Sequence, residues 1–131
     1  MPSNVSVQIE KFAEKHFVKK FEKKHKKHWL ITLQAIIAEL ERIDQLLLTD
    51  RAETICDTDS LKIVKTKFRV AGTKESAKTS GNRCIVAFHT NKQFVSVLLV
   101  YSKTDIGSRN ETAEWQKLIK NNYPEYRHLF K

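Results

Sequence analysis

At 131 residues, 40% hydrophobic and 30% charged, the chain has the size and balance of one globular domain spanning residues 1–131. No apolar run approaches the ~18 residues needed to cross a bilayer, and Met1 to Asn4 carry neither a basic nor an apolar leader region. The formal net charge of +9 predicts a polyanionic partner, but charge alone does not choose among nucleic acid, ribosome, acidic protein and membrane surface.

That charge is segregated. Residues 11–28 hold eight Lys and two Glu, residues 38–59 seven acids and two bases, and residues 60–109 ten bases and two acids. The two cysteines, Cys56 and Cys84, form no CxxC and no metal spacing. They are expected to be free thiols in a reducing cytoplasm.

Val5 to Ile9 alternates apolar and polar residues, which predicts a short first strand. A helix follows from Lys11, with Phe17, Val18 and Phe21 on one side and Lys19, Lys20, Lys23, Lys24, Lys26 and Lys27 on the other. A second helix is predicted from His28 to Leu48. Its core stripe is Leu33, Ile36, Ile37, Leu40, Ile43 and Leu47, at spacings of three and four. The tight link at His25 to Trp29 makes the two a helical hairpin packed on a sheet.

The period then changes. Leu61 to Val70 alternates as a strand, with Lys65, Lys67 and Arg69 on one face and Val64, Phe68 and Val70 on the other, Thr66 between them. A loop runs from Ala71 to Asn82. Arg83 to His89 is a third strand, residues 90–93 a hairpin turn, and Phe94 to Lys103 a fourth strand. Its run Val97 to Val100 is apolar on both faces, which marks a central position. Asn110 to Asn121 reads as a helix, with Asn110 as N-cap, Glu111 and Glu114 in the first turn and Pro124 past the end. The predicted class is α+β, in the order β-α-α-β-β-β-α. A helical hairpin would cover a small, mainly antiparallel four-stranded sheet.

Three cations at every second position of one strand repel each other unless phosphates sit among them. In an antiparallel meander, the end of the second strand, the start of the third and the end of the fourth share one sheet edge. Lys67, Arg69, Arg83, Tyr101 and Lys103 are therefore predicted to converge. His25 and His28 lie one helical turn apart but have no carboxylate or Cys beside them, so no metal site is expected. The sequence holds no phosphate-binding glycine loop, GxSxG or paired-carboxylate motif, and no cofactor is predicted.

Three segments together resemble the RelE/ParE toxin superfamily: Lys-Phe-Arg-Val at 67–70, Gly-Asn-Arg-Cys-Ile-Val-Ala-Phe-His at 81–89, and Val-Leu-Leu-Val-Tyr-Ser-Lys-Thr-Asp at 97–105. The order of elements is similar too. The resemblance spans most of the chain, with its sharper motifs in residues 65–105. It implies the toxin of a type II toxin–antitoxin system, a metal-independent endoribonuclease that cuts mRNA on the ribosome and is neutralised by a cognate antitoxin. The family's strand cations fall at Lys67 and Arg69, its Gly-x-Arg arginine at Arg83, and its last basic residue at Lys103. Its C-terminal tyrosine has no clear match, and Tyr101 and Tyr126 are both candidates.

The chemistry asks for alignment of a 2′-hydroxyl, a base, charge stabilisation and an acid. Arg83 suits charge stabilisation through a bidentate guanidinium. Lys67 and His89 are alternative bases. Lys65, Lys74, Lys78 and His89 are candidate RNA contacts, and Lys19, Lys23 and Lys27 candidate contacts to ribosomal RNA. Two other readings stay open: a ParE-like topoisomerase inhibitor and a non-catalytic RNA-binding protein.

Overall fold

The computed structural model describes residues 5–77, 79–106 and 108–130. The chain opens with β1 (Ser6–Ile9), then α1 (Lys11–Ala13), a π-helical turn (Glu14–Val18) and α2 (Lys19–His25). Backbone angles stay helical through these junctions. The wide turn brings the adjacent Phe17 and Val18 inward together with Phe21. Lys26 breaks the helix with φ of 51°. Beyond it, in α3 (Lys27–Leu40), Trp29 stacks on Phe21 with ring centroids 4.7 Å apart. The chain has therefore folded back.

The predicted helix from His28 to Leu48 stops at Leu40. Arg42, at φ −118° and ψ 42°, separates α3 from a single turn, α4 (Ile43–Leu46). Of the predicted stripe, Ile36, Leu40 and Ile43 are buried, and Leu33 and Leu47 pack partly against the core.

Five strands form one mixed sheet in the order β1-β5-β4-β3-β2. They are β2 (Ala52–Asp57), β3 (Leu61–Phe68), β4 (Asn82–His89) and β5 (Phe94–Ser102) beside β1. This corrects the expected four-stranded, β-α-α-β-β-β-α arrangement. The added strand, β2, carries Glu53 and Asp57, and its register with β3 shifts between Thr54 and Cys56. That bulge destroys the period-two pattern by which a strand is recognised. The meander β3-β4-β5 is antiparallel, whereas β1 runs parallel to β5. Strand β3 ends at Phe68 rather than Val70, and Lys103 belongs not to a strand but to α5 (Lys103–Ile106).

Both faces of the sheet are covered. On one, Phe21 and Trp29 of the helical hairpin contact Phe68, at 5.7 and 6.1 Å between centroids. On the other lie α6 (Glu111–Asn122) and a 3-10 segment, Pro124–Leu129. There the Tyr123 hydroxyl donates to Leu98 O at 2.8 Å, Trp115 meets Phe130 edge-on, and Trp115 and Ile119 are fully buried. This second cover explains why Cys84 to Phe88 and Val95 to Tyr101 are all buried. Each fully buried Val, Ile, Leu or Phe among them contributes about 1.5–3 kcal/mol of hydrophobic stabilisation. No helix among the described residues is long and apolar enough to cross a membrane.

Candidate site at the end of the central strands

Register places Lys67 opposite Arg83, and Arg83 opposite Tyr101, so the three form one row across β3, β4 and β5. Lys65 lies two residues along β3 on the same face. Gly81, with φ of 76°, makes the turn into β4 in a conformation open to glycine at little cost. Its carbonyl accepts the Lys103 N–H at 2.9 Å, which ties the start of α5 to the row. The predicted meeting of Lys67, Arg83, Tyr101 and Lys103 at one sheet end is therefore present.

The members differ in access. Lys67 is half-buried, and its N–H donates to Arg51 O at 2.9 Å. Arg83 is only 3% exposed. Its guanidinium donates to Asn82 O at 2.9 Å and Ala77 O at 3.4 Å. Tyr101 is fully buried, and burial first, then its bond to Glu111, pushes its hydroxyl well above the ordinary tyrosine range. Tyr101 therefore stays protonated at neutral pH and serves as a hydrogen-bond donor rather than a base.

Glu111 is the residue that sequence reasoning missed. It reads locally as an acid in the first turn of a helix, where it favours the dipole. In the fold its carboxylate accepts the Tyr101 hydroxyl at 2.5 Å and pairs with the Lys65 ammonium at 2.8 Å, while Lys103 stands 3.7 Å away. The Glu111 and Lys65 side chains are 10% and 13% exposed. Burial alone would raise the Glu111 carboxyl. The bonds from Lys65 and Tyr101 and the charges of Lys65 and Lys103 outweigh it and hold the group below the usual glutamate value. The only signal in the sequence was a pair of acids, Glu111 and Glu114, just after a strongly cationic stretch. Asn110 stands at the N-cap position but makes no side-chain cap bond.

A row of cations on β3 is also less anomalous than the sequence alone implies. The unexpected β2 sets Glu53 opposite Lys65 and Asp57 opposite Lys62.

Other candidates fall elsewhere. Arg69 is exposed beyond the end of β3, donates to Thr73 O at 3.0 Å, and with Lys74 lines a cleft of about 800 Å³ against α3. It does not join the row. His89 pairs with Leu61 at the opposite end of the sheet, six residues from Arg83, or about 20 Å at strand rise. There its ring is 2.9 Å from the Tyr126 hydroxyl, and burial lowers its pKa. That position removes His89, and with it Tyr126, from the chemistry of the row. Lys19 and Lys23 on α2 and Lys27 at the start of α3 are exposed. Lys78 lies outside the described residues.

A second cleft, of about 490 Å³, opens at the same sheet end on the hairpin side, between Lys20, Lys24 and His25 of α2 and Asn82 and Ser102 of the strands. Among the described residues no group of three or more His, Cys, Asp or Glu is placed to hold a metal.

No family model, no curated protein and no solved structure matches this chain. Its class therefore rests on the α+β fold and the basic row.

Proposed function

We propose that this chain is a RelE-like toxin of a type II toxin–antitoxin system, acting in the cytoplasm as an endoribonuclease on ribosome-bound mRNA. One observation carries the reading. Lys67, Arg83 and Tyr101 occupy one register row on three adjacent strands, with Lys103 fixed beside them by the Gly81 carbonyl. Such a row sets two partly exposed lysines beside a buried arginine and a buried tyrosine at one sheet end. Lys67 and Lys103 are the accessible phosphate ligands, and Arg83 is the permanent charge for the developing phosphorane. The 2′-hydroxyl of the RNA is the nucleophile, so the step needs no metal and no cofactor. The exposed lysines of α2 would add a sequence-independent, salt-dependent attraction to ribosomal RNA.

One observation favours a second reading, RNA binding without cleavage: Arg83 and Tyr101 are buried. Brief expression without antitoxin, followed by primer extension on cellular mRNA, separates the two. New in-frame 5′ ends together with growth arrest support the nuclease. Slowed translation with intact mRNA supports the binding protein. Defects in DNA supercoiling with intact mRNA would instead point to the topoisomerase inhibitor.

A further inference from the structure

Beside the basic row, the Glu111 carboxylate is held by a hydroxyl and an ammonium together. Tyr101, Lys65 and Lys103 surround it, and Lys67 and Arg83 stand in the adjoining row. Two lysines and a tyrosine thus converge on one largely buried carboxylate, with Glu53 opposite Lys65 but exposed at the sheet edge. That is the inventory of a phosphate site with a tethered occupant.

The described residues of the covering turn have few buried anchors. No residue of α5 is buried, Asn110 makes no cap bond, and Thr112 and Ala113 are exposed. The firm anchors of α6, Trp115 and Ile119, begin one turn later and are fully buried. Among the described residues between the end of β5 and Trp115, Ile106 packs partly against the core, and Glu111 bonds to β3 and β5 through Lys65 and Tyr101.

We infer that Lys65, Tyr101 and Lys103 form an anion site for an RNA phosphodiester, closed at rest by the carboxylate of Glu111 and opened when the first turn of α6 lifts about Trp115. The site's ligand class rests on the ribonuclease reading above. Lifting costs less than deleting a partner, because both charges return to water or to the phosphate rather than being left buried alone. The apparent affinity for an anion is then the intrinsic affinity reduced by the open fraction.

The test uses inorganic pyrophosphate and the full chain at fixed low salt, by calorimetry. Glu111→Gln is expected to bind pyrophosphate about tenfold or more tighter than wild type, as follows if under about a tenth of the wild-type chain is open. Adding Lys65→Met should abolish that gain, which separates this site from weak anion binding along the lysine helix. In wild type, pyrophosphate should speed amide hydrogen exchange at residues 114–116, whose N–H groups bond the carbonyls of the first turn, as the turn is displaced. Equal affinity of wild type and Glu111→Gln, or a gain that survives Lys65→Met, overturns the inference. Should Glu111→Gln not fold, unchanged or slowed exchange at residues 114–116 in wild type overturns it. None of these measurements involves ribosomes. Anion binding gated by Glu111 in a chain that leaves mRNA intact would therefore overturn the nuclease reading alone.

Discussion

Breaking the Lys65–Glu111 pair from either side should destabilise the fold, and removing both partners should cost less than the two single losses added together. The two side chains are 13% and 10% exposed and 2.8 Å apart, close to the fully buried limit, where deleting one partner costs about 3–5 kcal/mol. Allowing for the residual exposure, Lys65→Met should cost about 2–4 kcal/mol, since Glu111 keeps Tyr101 and the more exposed Lys103 but loses its closest cation. Glu111→Gln strands Lys65 and should cost a similar amount. The double variant should cost less than the sum, leaving a coupling of about 1–3 kcal/mol. Lys103→Met should cost under about 1 kcal/mol, because its side chain is 40% exposed and the contact is 3.7 Å. Urea unfolding followed by far-ultraviolet circular dichroism measures all four. Single variants within 0.5 kcal/mol of wild type, or strictly additive costs, would show that Glu111 does not anchor α6 through this pair.

Further outcomes follow from other parts of the fold. Lys26, at φ 51° and ψ −121°, holds a conformation that suits glycine, so Lys26→Gly should raise stability by about 1 kcal/mol and the thermal midpoint by about 4 °C. A lowered midpoint would refute this strain. Cys84 is fully buried and its thiol is pushed up to about 12, whereas Cys56 is partly exposed. A disulfide-exchange reagent should titrate one thiol in the native chain and two in urea, and two fast-reacting thiols in the native chain would contradict that burial. Burial, the leading cause, lowers the folded-state pKa of His25 and His89, and the ion-pair network lowers that of Glu111. In each case the unfolded chain takes up protons first. Stability should therefore fall as pH drops below about 6.5 through the histidines, and further below about 4.5 through Glu111. A thermal midpoint that is flat from pH 7 to 4 would refute this.

Much of the sheet was legible because alternation is local. Leu61 to Phe68 and Arg83 to His89 declare their faces residue by residue, and the doubly apolar run Val97 to Val100 marked a central strand, although the cover on its second face was not predicted. The convergence of Lys67, Arg83, Tyr101 and Lys103 followed from hairpin geometry alone. Three features were not legible. The acidic strand β2 hides behind its bulge at Thr54 and Cys56. The break at Arg42 falls inside an unbroken hydrophobic stripe, so the stripe concealed it. The contact of Glu111 with Lys65 joins residues 46 positions apart, and no periodicity encodes it. Arg69 was misplaced for a related reason: alternation predicted its face, but the strand ends at Phe68 and the chain turns before the face applies.

The central claim is that the basic row cuts RNA, and the rate of cleavage of ribosome-bound mRNA tests it most directly. Purified wild-type protein should cut such mRNA, and Arg83→Ala, shown to be folded by circular dichroism, should cut about a hundred- to thousandfold more slowly. A folded Arg83→Ala chain that cuts at the wild-type rate, or a wild-type chain that leaves the mRNA intact, would contradict the account.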